Sequence, residues 1–215
     1  MEFLKQLKRT PKAIIFDMDG TLIDSTDADY QAWKRLFKEF NIDLTYEKYY
    51  PLLGKKSVDV ISSQLNLEGD EVKKALDKKM FFYRQVVEEN GMKLIPGADK
   101  AIEYCRSLPL KLALATSSRR EKMNMMMEMM GFLKFFDAIV TGEEVFHGKP
   151  APDIFLKAAE RLGIAPEDCL VFEDTVSGIR SAKNAGMQCI AICSTHKREE
   201  LHEADLIIEH WDQIF

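Results

Sequence analysis

The 215-residue chain is 46% hydrophobic and 30% charged, with a formal net charge of −5 at pH 7. That length and apolar content suit one α/β domain with an insertion, or two small domains, and exclude a disordered chain. With no basic excess, no apolar run of membrane-spanning length and no signal-peptide core behind Glu2, Lys5, Lys8 and Arg9, a cytoplasmic protein with neither nucleic-acid nor membrane partners is expected.

The first element is the run Ala13-Ile14-Ile15-Phe16, whose bulky β-branched and aromatic residues predict a buried strand. It runs into Asp17-Met18-Asp19-Gly20-Thr21. Side chains at i and i+2 point the same way as an extended segment leaves a sheet, so Asp17 and Asp19 address one point in space. Gly20 permits a sharp turn away. Two like charges held that close need a cation or a shared proton, which predicts a metal-assisted carboxylate site.

From about Thr26 to Gly91 the pattern is helical. Ala32, Trp33, Leu36, Phe37 and Phe40 mark one helix, Val58, Ile61 and Leu65 a second, and Val72, Ala75, Leu76, Met80 and Tyr83 a third. No strand is expected in this stretch, and Pro96-Gly97 closes it. Beyond it, strands at 111–115, 138–141, 169–172, 188–192 and 205–208 alternate with helices near 98–107, 119–130, 152–162, 175–185 and 197–203. Such alternation predicts a parallel sheet covered on both faces, with the helical block inserted after the first strand. The methionine-rich segment 123–130 reads as the inner face of a helix capped by Gly131. Cys105, Cys169, Cys189 and Cys193 form no Cys-x-x-Cys pair and read as reduced, buried thiols.

In an open parallel sheet the site lies beyond the carboxyl ends of the strands. The first strand delivers Asp17 and Asp19 there, and Leu112-Ala113-Leu114-Ala115 delivers Thr116, Ser117 and Ser118. The segment after 138–141 brings Gly148-Lys149-Pro150, and Cys169-Leu170-Val171-Phe172 brings Glu173 and Asp174. Carboxylates suit Mg²⁺, while hydroxyls, amides and an ammonium suit phosphate oxygens. Phosphoryl transfer needs that combination. Ser117 or Ser118 is expected to cap the helix at 119–130, and Asp174 is placed to cap the helix that follows it at 175–185 as well as to bind metal. His147, His196, His202 and His210 read as solvated loop or helix residues.

Asp-Met-Asp-Gly-Thr-Leu at 17–22, Ala-Thr-Ser-Ser at 115–118, Gly-Lys-Pro-Ala-Pro-Asp-Ile-Phe at 148–155 and Phe-Glu-Asp-Thr-Val-Ser-Gly-Ile at 172–179 together resemble the haloacid dehalogenase superfamily, subclass I. The resemblance spans essentially the whole chain, with the motifs in the family's order. It implies a Rossmann-like parallel-sheet core at 1–24 and 94–215 and an inserted four-helix cap at 25–93, hinged near 24–27 and 91–97. By the same resemblance Asp17 is the nucleophile, and Asp19 is the general acid and then the base. Thr116 and the Ser117 amide hold phosphate, and Lys149 steadies the nucleophile. Asp174 and Glu173 hold Mg²⁺ together with Asp17 and the Asp19 carbonyl. Within Leu53-Gly54-Lys55-Lys56-Ser57, the segment most like the family's substrate loop, Gly54, Lys55 and Lys56 are the substrate-binding candidates.

The activity so implied is a Mg²⁺-dependent phosphatase acting on a small phosphorylated metabolite, a sugar phosphate or nucleoside monophosphate, in a monomeric enzyme. The alternative is a β-phosphoglucomutase-type phosphosugar mutase, which the core motifs and Trp33-Lys34 also resemble. That mutase carries a histidine early in its first cap helix, where an ungapped alignment from Asp17 places Asp29. This departure favours the phosphatase.

Overall fold

The computed structural model describes residues 3–215. Six strands form one parallel sheet: β1 (Ala13–Phe16), β4 (Lys111–Thr116), β5 (Ala138–Thr141), β6 (Cys169–Glu173), β7 (Gln188–Ile192) and β8 (Leu206–Ile208). Their order across the sheet is β5-β4-β1-β6-β7-β8, so β1 lies inside it, with Phe16 in register with Leu114 on one side and Phe172 on the other. Every residue of β1 is buried, and the two-residue period divides them between two cores. Ile14 and Phe16 join one cluster with Leu112, Leu114, Leu170 and Phe172; Ala13 and Ile15 join the other with Ala113, Ala115 and Val171. Phe16 stacks on Phe172 at 5.2 Å, and Trp211 sits 4.9 Å from Phe172. The Trp211 indole N–H donates to the Thr21 carbonyl at 3.1 Å, tying the chain's C-terminal turn to the loop after β1.

Helices α5 (Ala98–Ser107) and α6 (Arg120–Met130) cover the first face, and α7 (Asp153–Leu162) and α8 (Val176–Asn184) the second. Met123, Met126 and Met127 of α6 are buried, and Gly131 ends the helix in the left-handed conformation, as the sequence indicates. Two cap expectations fail. Arg119 precedes α6 in the cap position and its side chain makes no capping bond to the helix, while the Ser117 and Ser118 hydroxyls are engaged elsewhere. Thr175 rather than Asp174 caps α8, accepting from the Gly178 amide. The helix expected at 197–203 is only a 3-10 turn, Arg198–Leu201. The four cysteines are free thiols, three of them buried. No helix among the described residues is long and apolar enough to cross a membrane.

After β1 the chain passes through a short ribbon in which β2 (Ile23–Asp24) pairs antiparallel with β3 (Lys93–Leu94). Between these strands lie α1 (Thr26–Glu39), the one-turn α2 (Tyr46–Tyr49), α3 (Ser57–Leu65) and α4 (Asp70–Asn90). They bury a core of their own that includes Trp33, Leu36, Phe37, Tyr49, Val60, Ile61, Val72 and Ala75. The ribbon and α2 go beyond the three helices that periodicity marks out.

Candidate active site

The carboxyl ends of β1, β4 and β6 meet at one pocket. The Asp17 amide donates to the Phe172 carbonyl at 3.0 Å, continuing the β1–β6 ladder by one residue and fixing where the Asp17 carboxylate starts. Three residues on, Gly20 has φ +83°, and a Cβ there would lie 2.2 Å from Asp174 Oδ2. Only glycine lets this turn approach Asp174 so closely.

Lys149 is buried between two carboxylates. Its Nζ lies 2.6 Å from Asp17 Oδ1 and 2.6 Å from Glu173 Oε1. The other Glu173 oxygen accepts from the amides of Asp174 and Thr175, both at 2.7 Å, and from the Thr175 hydroxyl at 2.9 Å. Both Glu173 oxygens are therefore committed to protein donors. Asp174 Oδ1 accepts from Thr21 Oγ1 at 2.8 Å and Oδ2 from Thr195 Oγ1 at 2.5 Å. Asp17 Oδ2 accepts no hydrogen bond from the described residues.

Asp17, Glu173 and Asp174 each offer an oxygen within 4.8 Å of the others. Burial, partly offset by Lys149 and reinforced by Glu173, pushes the Asp17 carboxyl up to about 7. Burial followed by the charges of Glu173 and Asp17 pushes Asp174 well above the usual carboxylate range. Three buried carboxylates around one ammonium carry more negative charge than their surroundings offset, and an all-oxygen donor set of this kind fits Mg²⁺.

Asp19 is held from both sides. Its Oδ1 accepts from Ser25 Oγ at 2.5 Å and lies 2.7 Å from Lys122 Nζ; its Oδ2 accepts from Ser118 Oγ at 2.7 Å and more weakly from Thr116 Oγ1 at 3.4 Å. Burial alone would raise its pKa, but Lys122, Ser25 and Ser118 together bring it below the usual value. Lys122 Nζ is also 3.4 Å from Asp29 Oδ1, which Lys79 Nζ meets at 2.8 Å. Tyr49 donates to the other Asp29 oxygen at 3.2 Å.

Of the residues expected to form the site, Asp17, Asp19, Thr116, Ser117, Asp174, Gly54 and Lys55 line this pocket, together with Asp29, Trp33, Tyr49 and Lys122. Lys149 and Glu173 stand behind Asp17 and Asp174 rather than on the pocket wall. Lys56 is turned away from the pocket. Its ammonium donates to the carbonyls of Val145 and Phe146, at 2.9 and 3.3 Å, and its stem packs against Gly148. His196 is half-buried with its ring 4.7 Å from that of Tyr50, not solvated as expected, whereas His147, His202 and His210 are exposed.

Sequence reasoning missed Lys122, Lys79, Tyr49, Thr21 and Thr195. For the two lysines a signal existed: Lys122 is four residues before Met126, and Lys79 lies four after Ala75 and four before Tyr83, so both fall on the inward stripes of their helices.

A family model for haloacid dehalogenase-like hydrolases matches residues 14–192. A phosphorylated carbohydrates phosphatase of Thermotoga maritima is 32% identical over 185 residues, covering 83% of each chain. A β-phosphoglucomutase of Bacillus subtilis is 29% identical, over 92% of this chain and 88% of that one. The chloroplastic protein SUPPRESSOR OF QUENCHING 1 of Arabidopsis thaliana is 33% identical over 89% of this chain, which spans only 19% of that much longer protein. Among solved structures, a HAD hydrolase of family IA, variant 3, from Entamoeba histolytica superposes with a TM-score of 0.84 at 32% identity, covering 95% of both chains. With the match running from β1 through β7 and the ends of β1, β4 and β6 meeting as described, the chain belongs to the haloacid dehalogenase-like hydrolase family.

Proposed function

We propose that this protein is a Mg²⁺-dependent phosphatase that hydrolyses a small phosphorylated metabolite through an aspartyl-phosphate on Asp17. The observation that carries this reading is the Asp17 carboxylate itself, with one oxygen on Lys149, the other accepting no hydrogen bond from the described residues, and Asp174 beside it. In this reading 1–24 and 94–215 are the catalytic core, and 25–93 are the cap that closes over it and selects the leaving group. The enzyme works as a cytoplasmic monomer.

Asp17 and Asp174, with the Asp19 carbonyl, would hold Mg²⁺; when bound, the ion supplies charge neutralisation and alignment for the transferring phosphoryl group. Glu173 acts one contact further out, holding Lys149 and the amides of the Asp174 turn. In the first half-reaction an Asp17 oxygen bonds to phosphorus and the ester P–O bond breaks; Asp19, ionised beside Lys122 in the substrate-free protein, takes up a proton as substrate binds and gives it to the leaving oxygen. In the second, a water oxygen attacks phosphorus, its proton passes to Asp19, and the bond from phosphorus to Asp17 breaks to release inorganic phosphate. Thr116 and the Ser117 amide hold phosphate oxygens, and Lys149 offsets the charge that builds on them. Gly54 and Lys55 meet the leaving group from the cap side. Lys56 is assigned no substrate contact, since it is bonded to two carbonyls outside the pocket.

A phosphosugar mutase is the second reading, supported by the similarity to β-phosphoglucomutase. Asp29 argues against it: engaged by Lys79, Lys122 and Tyr49, it is an acceptor with the same charge as Asp19. The test is a phosphate-release screen over phosphorylated sugars and nucleoside monophosphates with Mg²⁺ present. A second arm supplies β-glucose 1-phosphate with a bisphosphate activator. Hydrolysis of a monophosphate ester supports the phosphatase; glucose 6-phosphate accumulating faster than inorganic phosphate would establish the mutase instead.

A further inference from the structure

The proposed chemistry leaves Lys122 without a task, although it is buried and points its ammonium at the carboxylate that moves the proton. Four charges of alternating sign run from Asp19 through Lys122 and Asp29 to Lys79, at 2.7, 3.4 and 2.8 Å. Asp19 and Lys122 belong to the core, Asp29 and Lys79 to the cap. Each ammonium is further confined by a ring, Lys122 lying 4.4 Å from the Tyr83 centroid and Lys79 4.2 Å from that of Trp33. Stability alone does not explain the chain, because apolar residues of similar volume commonly serve as well as a buried ion pair.

We infer that Lys122 is a positioning residue for Asp19, and that the cap's Asp29 is what holds Lys122 in place. Asp19 can turn about its side-chain bonds, and Lys122 together with Ser25 fixes the oxygen facing away from Ser118. An ammonium on a four-carbon stem needs opposed partners to hold one position. Asp19 supplies one and Asp29 the other, so the proton-transferring carboxylate takes its working orientation when the cap is closed. Lys122 acts here through Asp19 and leaves the phosphate to Thr116, Ser117 and Lys149. The inference rests on the phosphatase reading, in which Asp19 protonates the leaving oxygen.

The experiment compares phenyl phosphate, whose leaving group needs a proton, with 2,4-dinitrophenyl phosphate, whose leaving group does not. The constant followed is kcat/KM, which reports phosphoryl transfer to Asp17 and excludes the later step in which Asp19 acts as base. Lys122→Met should lower kcat/KM for phenyl phosphate about 10²-fold and for the dinitrophenyl ester less than about 3-fold. Asp29→Asn should act in the same direction at about 10-fold, and the double variant should be no worse than Lys122→Met, since the two residues work in series. Lys122→Arg should recover much of the loss. The ratio between the two esters does not depend on how much of a variant is folded, and Asp29→Asn carries the test if Lys122→Met is insoluble. Equal losses on the two esters, or additive losses in the double variant, overturn this inference while leaving the phosphatase reading intact. A wild-type enzyme that hydrolyses neither ester nor any monophosphate in the screen overturns both.

Discussion

Replacing Lys149 with methionine keeps the volume of the side chain and removes its charge from between Asp17 and Glu173. At 2.6 Å each pair is worth about 6 kcal/mol at an effective dielectric constant of about 20, and the cost of stripping water from the ammonium offsets most of the sum. Removing one partner from such a site and leaving the other buried costs about 3–5 kcal/mol. The pH dependence has a definite sign. In the metal-free protein Asp17 titrates near 7 against 3.8 for an ordinary aspartate, so its folded state binds the proton more tightly, and stability falls as pH rises through that window. Lys149 is the largest influence holding Asp17 down; without it the window extends upward, and the deficit relative to wild type should grow between about pH 6 and about pH 9. Urea unfolding in EDTA at both ends of that range measures it. With Mg²⁺ present, turnover should fall about 10²–10³-fold. Adding Glu173→Gln should return part of the stability and none of the activity, because it relieves the carboxylate repulsion without restoring the cation. A loss below about 1 kcal/mol that does not change with pH, or activity within about 10-fold of wild type, would refute this account of Lys149.

Asp17→Asn should abolish turnover by at least about 10³-fold while raising the thermal midpoint of the metal-free protein, since one of three crowded carboxylates is neutralised; retained hydrolysis would move the nucleophile elsewhere. EDTA should remove activity, Mg²⁺ should restore it, and excess Ca²⁺ should inhibit through its larger and looser coordination shell; full turnover in a metal-free preparation contradicts the proposed metal site. Gly20→Ala should cost at least about 2 kcal/mol and raise the Mg²⁺ concentration needed for half-maximal rate, because the new methyl would overlap Asp174 at a φ that disfavours side chains. A Mg²⁺ titration of initial rate reads the second effect, and an unchanged titration would separate Gly20 from the metal site.

The sheet was legible because its strands are short apolar runs whose ends carry polar residues of unusual chemistry. Leu112-Ala113-Leu114-Ala115 running into Thr116 needs only periodicity and composition to be read. The β2–β3 ribbon was not legible, since two-residue strands have no period to detect. The 3-10 turn at Arg198–Leu201 was read as a helix because Leu201 is the sole apolar residue that packs inward there, too little to distinguish one turn from two. Within the site, the residues that point directly at the reacting centre stand next to glycine or at strand ends and declare themselves. Those that orient them do not. Lys122 sits among methionines and Lys79 among apolar positions, where a lysine reads as solvated until the facing Asp19 and Asp29 are seen in space. Thr21 and Thr195 meet at Asp174 from segments 174 residues apart, a proximity that no local pattern encodes.

The Lys56 ammonium, unlike the other buried lysines near the site, is satisfied by main-chain oxygens of Val145 and Phe146, just ahead of Lys149. For anyone recombining parts of this family, that makes the 145–148 loop travel with the insertion rather than with the sheet. A foreign insertion lacking a donor at this point would leave two carbonyls to find water at a seam, and one with a bulkier stem would press on Gly148, where even a methyl group would lie 2.9 Å from Lys56 and Asp59. Chimaeras cut at the β2–β3 ribbon alone should therefore fold with a displaced Lys149, whereas those that exchange 145–148 along with the insertion keep the seam matched.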